Sequence, residues 1–182
     1  MYIRLSKQES SITPEVPQAD FQMHTTLDQE SGLQVVPLWI NGGPAIFSKT
    51  TTVPVYSASQ QKNVYLARSA DTEAAIEAAE AAQKAFRTWR ETSCASRRGI
   101  LLRLADIIKE RQTELVNLQV EETSCSETWA QFNISYTLNA LPEIASRITA
   151  VCSGELPPMA NAGTTMGLVI KEPIGPVLLI AP

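Results

Sequence analysis

Five apolar residues in unbroken succession, Val177-Leu178-Leu179-Ile180-Ala181, constrain this chain more than any other stretch. A strand with one wet face alternates polar and apolar residues. A strand without alternation is covered on both faces, as in a parallel sheet. Such a strand needs parallel neighbours, and these are reached through crossover connections that lay helices on the sheet. Gly167 to Pro173 has the pattern of a preceding strand, and Ile174-Gly175-Pro176 that of its exit. An α/β fold is therefore expected, and the chain stops at Pro182 where its first buried strand has just begun. The expectation is a truncated α/β domain.

Upstream, the punctuation is clear. Leu38-Trp39-Ile40 runs into Asn41-Gly42-Gly43-Pro44, and Ala45-Ile46-Phe47 leads out. Apolar runs flanking Asn-Gly are a strong local signal for a hairpin. Thr51 to Tyr56 and Val64 to Ala67 read as two more extended segments joined by a polar turn at Gln60 to Asn63, together a small antiparallel element. Met1 to Val36 is rich in Gln, Ser, Thr and Glu without sustained periodicity, and reads as a mobile arm with a short strand at Leu33 to Val36.

The middle is helical. Asp71 is the expected N-cap of a first helix whose apolar stripe is Ala75, Ala79, Ala82, Phe86 and Trp89, with Lys84, Arg87 and Arg90 at its negative end. Ser96 is expected to cap a second helix, with the stripe Ile100, Leu101, Leu104, Ile107 and Ile108. A break near Gln112 precedes Leu115 and Leu118. A third helix is expected from Ser126 or Glu127 to about Val151. Pro142 lies inside it and predicts a kink or a split at Leu141, because an interior proline removes a backbone donor. Gly154 to Gly163, with Pro157 and Pro158, reads as a loop, and the Gly163 to Gly167 stretch as a turn before a strand.

Charge and composition exclude several classes. A net charge of −4 offers no favourable field to nucleic acid or an anionic membrane. No apolar run approaches the ~20 residues of a spanning helix. Met1 to Ser10 is polar and has no signal-peptide core, which points to the cytoplasm. Cys94, Cys125 and Cys152 are widely spaced and read as reduced thiols. No Cys-x-x-Cys pair suggests a metal site, and His24 in a polar arm is a poor base for a Cys–His dyad. Phosphate-binding glycine loops of the Walker or G-x-G-x-x-G type are absent from the sequence.

The order of the elements is itself informative. The Asn-Gly hairpin precedes an alanine-rich helix ending in Phe86-Arg87-Thr88-Trp89. Arg97-Arg98-Gly99-Ile100-Leu101-Leu102-Arg103-Leu104-Ala105-Asp106 and Glu121-Glu122-Thr123 follow. Lys171-Glu172-Pro173-Ile174-Gly175 then leads to Ile180-Ala181-Pro182. From about Leu38 to Pro182 the chain resembles the N-terminal part of the NAD(P)-dependent aldehyde dehydrogenase family. Glu127-Thr128-Trp129-Ala130-Gln131-Phe132-Asn133 is similar to the branch acting on aromatic aldehydes such as salicylaldehyde and vanillin, filamentous-fungal relatives included.

The resemblance implies a division of 1–36 as arm and 37–182 as a partial cofactor-binding domain, an α/β fragment made of β-hairpins, helices and the start of the dinucleotide-binding sheet. It implies a chemistry in which a cysteine thiolate attacks the aldehyde, an asparagine and a backbone N–H hold the oxyanion, hydride passes to the nicotinamide, and a glutamate activates water. The family's Trp-Asn pair follows the position of Pro182, and its glutamate and cysteine lie further on, so no catalytic residue is expected in this chain. Cys94, expected in a link between helices, Cys125 and Cys152 do not match the catalytic motif.

Further site assignments follow from the same resemblance. Ile180, Ala181 and Pro182 would form the edge of the NAD or NADP site, with the cofactor not bound by this chain alone. Trp129, Phe132 and Asn133 would lie on the helix lining the aldehyde entrance, with core packing the expected role of Trp129. The strand near 165–173 would serve oligomerisation, with a full-length aldehyde dehydrogenase or a second copy as partner. The functional expectation is an aromatic aldehyde dehydrogenase inactive as it stands. The alternatives are a non-catalytic interaction module, or one part of an enzyme completed by a second chain, with fungal secondary metabolism as the setting by analogy. Three departures stand out. Thr123-Ser124 replaces a Thr-Gly and predicts a different helix end. Pro176 follows Ile-Gly and removes a donor. Ser57-Ala58 replaces Asn-Pro.

Overall fold

The computed structural model describes residues 26–45, 47, 51–157 and 166–180. Strands come first: β1 (Thr26–Leu27), β2 (Gln34–Val36), β3 (Leu38–Ile40), β4 (Gly43–Ala45), β5 (Thr52–Ser57) and β6 (Lys62–Arg68). Helices α1 (Thr72–Trp89), α2 (Cys94–Glu110), α3 (Gln112–Thr123) and α4 (Glu127–Cys152) follow. Strands β3 and β4 form the expected hairpin, with Leu38 opposite Ala45 and Ile40 opposite Gly43. Asn41 and Gly42 are both at positive φ (54° and 80°), the two-residue turn whose twist suits a hairpin.

The main sheet has the order β1-β2-β6-β5. Strands β5 and β6 are antiparallel, as expected. β2 instead pairs parallel to β6, placing Val35 opposite Leu66, so the sheet is mixed rather than a small antiparallel element. The chain between β2 and β6 acts as a crossover, a connection that residue alternation does not reveal. Within the segment read as an arm, residues 26–36 carry β1 and β2, joined through a turn in which the Asp28 carboxylate accepts from the Ser31 backbone N–H at 2.9 Å. The remainder of that segment, His24 included, lies outside the described residues. Pro54 sits in β5, at the sheet edge, where its missing donor costs no ladder bond.

Helix starts follow local chemistry. Asp71 caps α1, its carboxylate accepting from Ala74 N at 2.8 Å. The cap of α2 is Ser93, not Ser96; the Ser93 hydroxyl accepts from Ser96 N at 3.1 Å. Cys94 is consequently the first residue of α2 rather than part of a link. The break after α2 falls at Arg111, as the interrupted stripe predicts, and Arg111 is clamped to Glu114 with Nε–Oε2 at 2.8 Å. Ser126 caps α4, and the helix runs from Glu127 through Pro142 to Cys152 without the split expected at Leu141. Pro142 is exposed, so its ring meets solvent, and only the Leu138 carbonyl loses its helical donor.

Helix α4 packs on α2 and α3, and α3 reaches β5. Ala130 and Ala145 of α4 and Val116 of α3 are buried, while Leu101, Ala105 and Ile108 of α2 are half-buried. The predicted α2 stripe is thereby unevenly covered, since Ile100, Leu104 and Ile107 remain 36–42% exposed. The only other buried apolar side chains among the described residues are Val35 and Ala74. Most of the α1 stripe, including Ala75, Ala79, Ala82 and Trp89, is exposed.

The C-terminal strands take another form. Of Gly167 to Pro173, only Val169 pairs, in an isolated bridge to Glu155, so the expected strand reduces to one contact. Gly154 makes that contact possible: a Cβ there would lie 2.6 Å from the Val169 carbonyl oxygen. Val177 to Ile180 join no ladder among the described residues, and all four side chains are exposed. The burial its composition calls for is thus unmet by the described residues, because no strand flanks it. Pro176 accordingly interrupts no strand. Residues 158–165, with much of the expected loop and turn, lie outside the described residues.

Candidate functional site

The singled-out residues Trp129, Phe132 and Asn133 fall in the first two turns of α4. Because 129, 132 and 136 are separated by three and four positions, helical geometry stacks their side chains along one line. Trp129 and Phe132 are stacked with ring centroids 5.5 Å apart. Phe132 and Tyr136 follow at 6.2 Å, tilted. The row faces outward: Trp129 is 56%, Phe132 54% and Tyr136 66% exposed. Core packing, the role expected for Trp129, is therefore not what it does, because the α2- and α3-facing side of α4 is one residue round the helix, at Ala130 and Ile134. Asn133 lies toward that half-buried side, and its backbone carbonyl accepts from the Thr137 hydroxyl at 2.9 Å. Tyr136 completes the row, and its spacing of four from Phe132 and seven from Trp129 is the sequence signal that it belongs with them.

Near the N-terminus of α4, α3 is fastened to the β5–β6 turn. Ser124 ends α3 at φ 56°, the left-handed conformation that glycine favours. The different helix end expected from this Gly-to-Ser departure is thus not adopted. Serine takes the glycine conformation, and its hydroxyl accepts from Ser59 N at 2.8 Å, which offsets the local cost. Gln60 Nε2 adds a bond to the Glu121 carboxylate at 3.1 Å. Nearby, the Tyr65 hydroxyl is buried without a hydrogen bond of good geometry. Burial pushes its pKa up, and the neighbouring Glu122 and Glu121 carboxylates push in the same direction.

A second feature lies on the other side of the chain. Pro176, Val177 and Leu178 pass beside Ala75, Ala78, Ala79 and Ala82 of α1, leaving an open apolar cleft of about 790 Å³. Ile180, placed by resemblance at the cofactor edge, continues this segment and is 84% exposed. Ala181 and Pro182 lie outside the described residues. The structure therefore brings Trp129 and Phe132 together, sets Asn133 on the adjacent side, and places Ile180 on a separate segment.

The cysteines are dispersed. Cys94 opens α2, Cys125 sits in the α3–α4 link with Sγ 4.0 Å from the Gln119 carbonyl, and Cys152 is the exposed last residue of α4. Among the described residues no group of three His, Cys, Asp or Glu side chains could hold a metal ion. No described helix is long and apolar enough to cross a membrane. Ile180 offers an apolar side chain and its backbone groups, and Ala181 and Pro182, assigned with it to the cofactor edge, lie outside the described residues.

Comparison with known proteins bears on this arrangement. The profile of the aldehyde dehydrogenase family matches residues 46–182. The chain is 35% identical over 108 residues to a salicylaldehyde dehydrogenase of Pseudomonas putida, covering 59% of this chain and 22% of that protein. It is 32% identical over 147 residues to a vanillin dehydrogenase of Pseudomonas sp. (strain HR199), covering 81% and 30%. Among solved structures, a salicylaldehyde dehydrogenase from Pseudomonas putida, complexed with salicylaldehyde, superposes with a TM-score of 0.69 at 28% identity, over 76% of this chain and 28% of that one. The chain thus spans less than a third of the length of each of these relatives.

Proposed function

This chain belongs to the aldehyde dehydrogenase family, and on that premise we propose that it is the N-terminal part of an NAD(P)-dependent enzyme oxidising an aromatic aldehyde to the acid. The observation that carries the aromatic preference is the outward row Trp129–Phe132–Tyr136, supported by similarity to proteins named for salicylaldehyde and vanillin. An exposed, prestacked indole and phenyl pair offers an aromatic ring a flat apolar face, worth about 0.5–1.5 kcal/mol beyond its area burial. Asn133, on the adjacent side, is the polar side chain assigned to the same entrance. Ile180, Ala181 and Pro182 form the nicotinamide-side edge in this reading.

Catalysis by this chain alone is not part of the proposal. The thiolate, the water-activating glutamate and the oxyanion asparagine correspond to positions beyond Pro182, and none of the three cysteines is assigned their role. The chain's own contribution is to shape the aldehyde approach, and the cofactor, NAD or NADP, is held only when the dinucleotide-binding remainder is present. A cytoplasmic setting suits three thiols with no disulfide among them.

The test is an assay of the purified chain with salicylaldehyde or vanillin and NAD or NADP, read by nicotinamide absorbance, beside a chimera joining the chain to the remainder of the Pseudomonas putida salicylaldehyde dehydrogenase. Turnover is expected from the chimera only. In the chimera, Phe132→Ala is expected to raise KM for the aromatic aldehyde about 3- to 10-fold, the loss of roughly one stacked contact. Turnover by the isolated chain, or an unchanged KM in that variant, would contradict the reading.

A further inference from the structure

Asn41 is the one asparagine of this chain that is followed by glycine, and it stands at the tip of the β3–β4 hairpin. Asn41 and Gly42 are both exposed, and a Cβ added at Gly42 would meet nothing within 4 Å, so nothing crowds the bond between them. Neither the Asn41 side chain nor the Gly42 N–H is hydrogen-bonded among the described residues. The other described asparagines lie inside regular elements that fix their backbone: Asn63 in β6, Asn117 in α3, Asn133 and Asn139 in α4. The hairpin is lightly held by comparison. Its two three-residue strands form a sheet of their own, apart from the four-stranded one, and none of their side chains is buried. A two-stranded hairpin by itself is marginally stable in water. Its support here is α1, where Trp39 and Ile40 lie beside Ala78 and Ala82 across an open groove.

We propose that Asn41 is a site of spontaneous covalent modification. The deprotonated Gly42 nitrogen attacks the carbonyl carbon of the Asn41 side chain, a C–N bond forms, and the side-chain amide nitrogen leaves as ammonia. The five-membered succinimide then takes up one water molecule from solvent. Opening at the side-chain carbonyl gives aspartate, and opening at the main-chain carbonyl gives isoaspartate. Glycine favours ring closure because, without a Cβ, its backbone swings freely toward the attacking position. The closed ring fixes Asn41 at a backbone torsion that the turn does not have, so the hairpin opens first, and short strands without buried side chains make that opening easy. The two products differ in consequence. Asp-Gly is itself a favoured hairpin turn, so aspartate keeps β3 opposite β4 and adds one negative charge. Isoaspartate routes the main chain through the side-chain carbonyl and adds a methylene to a two-residue turn. Ile40 then no longer meets Gly43 in the register by which Leu38 meets Ala45, and the hairpin loses its support on α1. The site is independent of the reaction proposed above.

The experiment ages the purified full chain at physiological temperature in mildly acidic and mildly alkaline buffer, with circular dichroism to verify that it stays folded. Peptide mass mapping follows conversion at each asparagine, and methylation by a protein isoaspartate methyltransferase reports isoaspartate. Asn41 is expected to convert at least ~10-fold faster than Asn63, Asn117, Asn133 or Asn139, and faster in the alkaline buffer, with isoaspartate among the products. Asn41→Gln, whose longer side chain has to close a six-membered ring, is expected to lose the methyl-accepting product in this peptide. Hydrogen exchange of the β3 and β4 amides is expected to quicken in the isoaspartate form and to stay near that of the parent in fresh Asn41→Asp, which carries the charge without the added methylene. Conversion at Asn41 no faster than at the other asparagines overturns the proposal, and rapid conversion there in urea alone would show that the folded hairpin protects it. Methyl acceptance undiminished in Asn41→Gln overturns the assignment to this residue. Equal exchange in the isoaspartate form and in Asn41→Asp overturns the structural consequence.

Discussion

Ser124 shows how one side chain can hold an unfavourable backbone conformation. Left-handed geometry costs a residue with a Cβ about 1–2 kcal/mol, and one good hydrogen bond returns about 1 kcal/mol. The bond from Ser59 N to the Ser124 hydroxyl is therefore of the size needed to keep α3 ending as it does. Ser124→Ala retains the strain and loses the bond, so a loss of about 1 kcal/mol is expected in urea unfolding. Ser124→Gly exchanges bond for freedom and should fall closer to wild type; the reverse order would refute the account. At Tyr65 the raised pKa has a defined sign. The unfolded tyrosine loses its proton near pH 10 while the folded one keeps it, so stability falls as pH rises through about 10. Tyr65→Phe should unfold with a shallower decline between about pH 9 and 11. At neutral pH it should be about as stable as the parent, since the hydroxyl it removes lies beside the Glu122 carboxylate without a hydrogen bond of good geometry.

At the scale of elements, caps and periodicity were highly legible. Asp71, the Asn41-Gly42 turn, the break at Arg111 and the start of α4 follow from interactions within a few residues, which is why their positions could be read in order. Misreadings arose where a distant partner decides. Ser93 and Ser96 are both able caps, and the chain uses the earlier one. The parallel β2–β6 pairing joins residues some 30 positions apart and leaves no local mark. Of the kink or split expected at Pro142, the split does not occur, because one missing bond on an exposed face is outweighed by packing on α2 and α3 either side of it. Pro142→Ala should restore the donor to the Leu138 carbonyl and stabilise the chain by about 1–3 kcal/mol in urea unfolding. A destabilised variant would mean that the proline ring is favoured by packing on its exposed side.

For the whole molecule, the core is small relative to the apolar surface. Among the described residues, three of the five buried apolar side chains are alanines, while Trp129, Phe132, Leu178, Leu179 and Ile180 face solvent. Little of the apolar composition is therefore converted into stability, at roughly 25 cal/mol per Å² removed from water. The isolated chain should unfold broadly and self-associate with increasing concentration. Leu179→Lys should raise the concentration at which light scattering begins. Sharp, high-temperature unfolding as a monomer, unaffected by that variant, would contradict this.

The sequence by itself determined the local vocabulary of this protein: the hairpin, the Asp71 cap, the break at Arg111, and the order of motifs that marks the aldehyde dehydrogenase family. Those features depend on neighbours in the chain and on composition. Only the tertiary structure decided which apolar residues are covered. It turned Trp129 outward into a stacked row with Phe132 and Tyr136, covered the α2 stripe unevenly, held Ser124 in a glycine's conformation, and left Val177–Ile180 bare beside the α1 alanines. The reason is that burial is a property of pairs of elements. A run that demands two covered faces states the need for neighbours, and only the packed chain shows whether they are there.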